Sequence, residues 1–160
     1  MSAQHCNHSE HINSPLSFAR MESKPLVFYQ LTELSVDEFV EIVNDLIPLA
    51  EAQRIADRDR PDRVRAIGGG AKSELSLEDQ TLLAVMWLNN YPTHETLGFL
   101  FGVSDSTVSR VVKRVRPLLE KLGRDDLIKP EPSRKGRPKL AELTAKIPVL
   151  ADFIPEMGTH

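Results

Sequence analysis

Wherever apolar residues recur along this chain, they do so at helical spacing. Val36, Phe39, Val40, Val43, Leu46 and Ile47 form one stripe at i, i+3, i+4 intervals behind Ser35-Val36-Asp37-Glu38. That tetrad is a capping box, in which a serine hydroxyl and a glutamate three residues on satisfy each other's orphan amides. The pattern predicts a helix over 36–47. Pro48 then bends the chain or opens a second helix, with Leu49, Ala52, Ile55 and Ala56 on one face to about residue 58. Further on, Ser76-Leu77-Glu78-Asp79 opens a helix in which the run Leu82-Leu83-Ala84-Val85-Met86-Trp87-Leu88 is apolar on every side, as a central, buried helix requires. Tyr91-Pro92 ends it, because the residue before proline is pushed out of the helical region.

The next stretch holds two short helices hinged at a glycine. Thr93 caps the first, which includes Leu97, Gly98 and Phe101; Gly102 ends it; Ser104 caps the second. Gly98 sits four positions before Gly102, where a second helix crossing steeply needs the two backbones to come close. Gly102 itself takes the left-handed conformation without a Cβ penalty. Leu97, Phe101, Val103, Val108 and Val111 supply the contacts between the pair. These spacings specify a helix-turn-helix over 93–116, whose second helix enters the major groove with its N-terminal residues toward the bases.

Helical period divides that second helix into two faces. Val108, Val111, Val112 and Val115 turn inward, leaving Asp105, Ser106, Thr107, Ser109, Arg110, Lys113 and Arg114 outward, with Ser104 at the cap. Short hydrogen-bonding groups come first and cations after. Arginine bonds both acceptors of a guanine edge, and serine or threonine serves a base or a phosphate. Asp105 has two readings, a favourable charge at the helix N-terminus or an acceptor for a cytosine amine. Beyond it, Val115, Leu118, Leu119 and Leu122 continue the apolar stripe to Gly123, and Pro117 predicts a kink or break at Arg116-Pro117.

The ends of the chain are poorer in signal. Residues 1–24 carry little apolar content and no period, and are expected to be a disordered tail. His5, Cys6, His8 and His11 lie close together there, but zinc sites pair two separated ligand clusters and there is no second one, so no metal is expected. After Gly123 comes a basic linker over 124–139. Its Arg134-Lys135-Gly136-Arg137-Pro138-Lys139 is either a plain basic tether or an extended Arg-Pro segment suited to a narrow minor groove or to phosphates. Leu140, Leu143, Ile147 and Leu150 predict a last short helix, and 151–154 a strand. The fold class is therefore all-α: a disordered tail over 1–24, a multi-helix helix-turn-helix domain over 25–123, the linker, and an extended C-terminal segment over 140–160.

Composition changes this picture in one respect. The 160-residue chain has a formal net charge of −3, yet the stretch from 105 to 139 holds eleven Lys or Arg against five Asp or Glu, a net +6 that leaves −9 for the rest. An acidic body with one basic face steers DNA to that face. The single cysteine excludes an intramolecular disulfide and fits a reducing cytosol, and the apolar runs are too short to span a membrane. Arg54, Arg58, Arg60, Arg63 and Arg65 alternate with Asp57, Asp59 and Asp62, which reads as solvated mixed charge. Gly68-Gly69-Gly70 is a flexible loop, since the following Ala71-Lys72-Ser73 lacks the Walker spacing. His94 has no companion nucleophile or carboxylate at useful spacing. No cofactor and no small-molecule substrate is expected.

The segments 31–39, 75–80, 91–110 and 117–120 together resemble the N-terminal region of bacterial insertion-sequence transposases of the DDE superfamily. The long segment from Tyr91 to Arg110 is the most specific of them. The resemblance covers roughly 24–154. It implies a helical domain that binds terminal inverted repeats through the helix that begins at Ser104. In that family a ribonuclease-H-like domain follows, its first metal-binding aspartate in an Asp-Gly-Thr-Glu context after a strand like 151–154. Here the corresponding residues are Pro155-Glu156-Met157-Gly158-Thr159-His160, without that aspartate. Two-metal phosphoryl transfer needs several such carboxylates. The expectation is a DNA-binding recognition domain, truncated or standing alone, that does not cleave DNA itself and that partners duplex DNA and, through it, an intact transposase or a second copy. Two alternatives stand beside it: an enzyme completed by a downstream frame, and a regulator or protein-interaction module pairing through Val115, Leu118, Leu119 and Leu122.

Overall fold

In the computed structural model, residues 16–59, 75–129 and 137–153 are described. Seven α-helices and two 3₁₀ turns make up the regular structure, with no strand among the described residues. In chain order the helices are α1 (Phe18–Met21), α2 (Pro25–Thr32), α3 (Val36–Arg58), α4 (Leu77–Asn90), α5 (His94–Phe101), α6 (Asp105–Lys121) and α7 (Leu140–Lys146). The 3₁₀ turns are Asp125–Leu127 and Pro148–Phe153.

Helix α4 is the hub. Every residue from Asp79 to Leu88 is buried, and α1, α2, α3, α5 and α6 all pack on it. From Leu82 to Leu88 the side chains are apolar all round, as such burial requires, and the buried polar residues before them, Asp79, Gln80 and Thr81, are hydrogen-bonded. Ser76 caps its start by accepting from the Asp79 amide, and Tyr91 closes its end in the left-handed region at φ 49°. The buried Tyr91 side chain is held by a hydrogen bond from its hydroxyl to the Lys129 carbonyl at 3.0 Å.

Neither internal proline ends its helix, so the break allowed for at Pro117 and the second helix allowed for at Pro48 do not occur. Helix α3 runs unbroken through Pro48, and α6 runs unbroken through Pro117. In both cases the proline is exposed, as is the residue four positions earlier, Asn44 or Lys113, whose carbonyl loses its amide partner. A carbonyl on the solvent side turns to water, so the missing bond does not end the helix.

The core also reaches beyond 25–123. Residues 16–24, expected in the disordered tail, form α1 because distant residues hold them. The Leu16 amide donates to the Leu100 carbonyl at 2.8 Å, the Phe18 amide donates to Asp79 Oδ1 at 2.7 Å, and Leu16 and Met21 are buried. Phe18 also joins Phe28 and Phe39 in an aromatic cluster with centroids 5.1–6.0 Å apart. At the other end, Leu143, Ile147 and Leu150 enter the same core. Residues 151–153, expected to begin a strand, instead continue the 3₁₀ turn, whose Leu150 is fully buried. No helix among the described residues is long and apolar enough to cross a membrane.

Candidate nucleic-acid interface

The turn between α5 and α6 is built as the sequence predicts. Thr93 Oγ1 accepts from the Thr96 amide, capping α5. Gly102 closes the helix at φ 70°, and the Gly98 carbonyl accepts from the amides of both Gly102 and Val103. A Cβ on Gly98 would lie 2.6 Å from the Val103 carbonyl oxygen, so only glycine permits this approach. Leu97, Phe101, Val108 and Val111 are buried between the two helices. Ser104 Oγ accepts from the Thr107 amide at 3.2 Å and starts α6.

Along α6 the buried positions are Val108, Val111, Val112, Val115, Leu118 and Leu119. The interaction-module alternative required three of these to pair between chains. They are instead spent inside this chain against α4 and α5, and only Leu122 of that set is half-buried. Opposite them, Ser106, Arg110 and Lys113 occupy the middle of the exposed face, at 100° per residue. Thr107 and Arg114 lie on one flank, Ser109, Arg116 and Glu120 on the other. Asp105 sits in the first turn, exposed, where its charge favours the helix N-terminus.

Hydrogen bonds organise this face. Ser104 Oγ and Thr107 Oγ1 lie 3.1 Å apart, and Arg110 Nη2 donates to Thr107 Oγ1 at 3.1 Å. Arg114 Nη1 donates to Gln80 Oε1 on α4 at 2.8 Å. Gln80 was invisible to sequence reasoning as a neighbour of this face, because the two residues are 34 positions apart. On the far flank Arg116 is paired with Glu120 at 3.6 Å.

Of the second basic element, Arg137 to Lys139 lie among the described residues. Arg137 lies with its guanidinium 5.8 Å from the Trp87 ring centroid and 5.6 Å from that of Tyr91, and the Pro138 carbonyl accepts from the Thr93 amide at 3.0 Å. One face of Arg137 is thus committed to the protein rather than open to a groove. Lys139 is exposed, and its backbone amide donates to Glu142 Oε1 at 2.9 Å. Arg134 and Lys135, the His5-Cys6-His8-His11 cluster, the triple glycine at 68–70 and Arg60, Arg63 and Arg65 lie outside the described residues. Arg54 and Arg58 are paired with Glu51 and Asp59, in keeping with solvated mixed charge. His94 is half-buried, its ring 6.4 Å from that of Trp87.

Residues 73–125, which span α4 to α6, match the family described as the helix-turn-helix of DDE superfamily endonuclease. No curated protein and no solved structure matches the chain. An all-helical fold around a helix-turn-helix of that family supports DNA binding as the function.

Proposed function

Since residues 73–125 are a helix-turn-helix of the DDE superfamily endonuclease type, we propose that this chain binds duplex DNA sequence-selectively at transposon terminal inverted repeats, with α6 in the major groove. The observation that carries the reading is the exposed face of α6. Ser104, Asp105, Ser106 and Thr107 stand at its entry, and Ser109, Arg110, Lys113 and Arg114 follow, with no carboxylate between Asp105 and Glu120. Arg110 lies about 7.5 Å along the axis from Asp105, within a groove about 12 Å wide, and takes the base-reading role. Lys113 and Arg114, at about 12–14 Å, fall at the groove edge and take phosphates. Lys139, together with Arg134 and Lys135, adds cationic reach to flanking phosphates. Strand cleavage is not part of the proposal. In a bacterial cytosol such a chain occupies element ends and competes there with an intact transposase.

Fluorescence anisotropy on a labelled inverted repeat, against a scrambled duplex of equal length, tests this. Tighter binding to the repeat is expected, with log affinity falling against log salt by about 0.9 per phosphate contact. Equal affinity for both duplexes removes the inverted-repeat claim. No binding at low salt removes the DNA-binding claim itself.

A further inference from the structure

Six of the described arginines are held by one of two kinds of oxygen. Arg54, Arg58, Arg116 and Arg124 are each paired with a carboxylate, Glu51, Asp59, Glu120 and Asp126 respectively. Arg110 and Arg114 on the exposed face of α6 are held by neutral acceptors instead, the Thr107 hydroxyl and the Gln80 side-chain carbonyl. A carboxylate neutralises the cation it orients. A hydroxyl or an amide carbonyl orients it and leaves its charge intact for a phosphate.

Gln80 is suited to this task. It is only 7 % exposed, and its Nε2 donates to the Leu75 carbonyl at 2.9 Å. That bond fixes which end of the amide is which, because only the NH₂ end can donate to a carbonyl. The oxygen is therefore turned toward α6, where Arg114 Nη1 meets it at 2.8 Å. One of the five guanidinium donors is used, and the others stay available. Gln80 lies on α4, the buried hub, so the bond fastens a long, exposed side chain to the most rigid part of the fold.

We propose that Gln80 is a positioning residue for DNA binding: it holds Arg114 as a pre-oriented cation, unpaired with any carboxylate among the described residues, aimed at a backbone phosphate on the α4 flank of the groove. The assignment rests on the DNA-binding reading above and adds to it a residue outside the recognition helix. Orientation before binding lowers the side-chain entropy lost on contact, and the retained charge keeps the counterion release that a phosphate contact brings.

Binding of a short fluorescein-labelled duplex of mixed sequence, followed over a range of salt concentrations, tests the proposal, because a phosphate contact does not depend on base sequence. Gln80→Glu puts a carboxylate at the same distance from Arg114. It is expected to weaken binding about tenfold and to flatten the salt dependence by about 0.9, as Arg114→Ala does. In an Arg114→Ala background, Gln80→Glu is expected to have little further effect. Arg114→Lys keeps the charge but not the hold, and is expected to weaken binding while leaving the salt slope unchanged. Melting curves of each variant separate loss of fold from loss of contact, and Arg114→Lys, at an exposed position, serves if Gln80→Glu does not fold. Wild-type affinity and slope in Gln80→Glu, a loss that persists in full without Arg114, or Arg114→Lys binding as tightly as wild type, each overturns the inference while leaving DNA binding standing. Failure of the unaltered chain to bind at all overturns both.

Discussion

Gly98 has a buried backbone and no room for a side chain, since a Cβ there meets the Val103 carbonyl oxygen at 2.6 Å. That oxygen belongs to the backbone of the turn and cannot rotate away. Gly98→Ala is expected to lose about 1–3 kcal/mol of stability in a denaturant melt, the usual cost of overpacking, and to tilt α6 against α5. A wild-type midpoint would show that the turn relaxes freely. Arg137 offers a second test at this scale, because Trp87 is the only tryptophan and is 8 % exposed beneath it. Arg137→Ala should shift the emission of the folded protein to the red as water reaches the indole. An unchanged spectrum would mean the guanidinium contributes no cover. Asp126 gives a third. The Arg124 fork, with Nε to Oδ1 and Nη2 to Oδ2 both at 3.0 Å, holds its carboxyl below the ordinary value of 3.8. A depressed folded value means the pair's contribution is present above the unfolded pKa and is lost as pH falls through the folded one. The pair is exposed, so the effect is small. Asp126→Asn should leave a melting temperature that declines less between about pH 4 and pH 2 than that of the unaltered protein.

Among the elements, α6 carries the most information in the fewest residues. Its cap, its buried stripe and its exposed face were all legible in the sequence, because each depends on residues within a turn or two of one another. Ser104→Ala removes the acceptor for the Thr107 amide and should cost about 1 kcal/mol in a melt. Arg110→Ala should cost about 1–3 kcal/mol in binding to the preferred duplex, with selectivity relaxed at one base pair. An equal loss on scrambled DNA would make Arg110 a phosphate contact instead. What the sequence did not disclose about this element is equally physical. Pro117 allows a break because sequence alone cannot say that the carbonyl it orphans faces water, and the helix continues through it. Gln80 was missed because a hydrogen bond between residues 34 positions apart leaves no periodic trace.

For the molecule as a whole, the same distinction explains the ends. The central helix and the helix-turn-helix could be read from local rhythm, whereas α1 exists only because Asp79, 61 positions away, accepts from Phe18 and because Leu100 accepts from Leu16. A four-residue helix has no stability of its own; it is ordered by what it docks against. The C-terminal residues 137–153 read locally as a separate segment, yet Leu143, Ile147 and Leu150 complete the common core, and the Thr93 amide ties Pro138 to the start of α5. Helix α6 and the segments 16–24 and 137–153 therefore share one body. Helix α3 is the exception to this sharing. Leu46 is its last fully buried residue, Leu49 and Ala50 still touch the core, and from Glu51 to Arg58 the helix is largely exposed, held by local pairs such as Gln53 with Asp57. Among the described residues, no core side chain lies in those last two turns, so they can unravel without opening the core. In deuterated water a single continuous helix should thus keep two clocks, its amides before Leu49 waiting for the whole fold to open and those after Ala50 trading their protons long before.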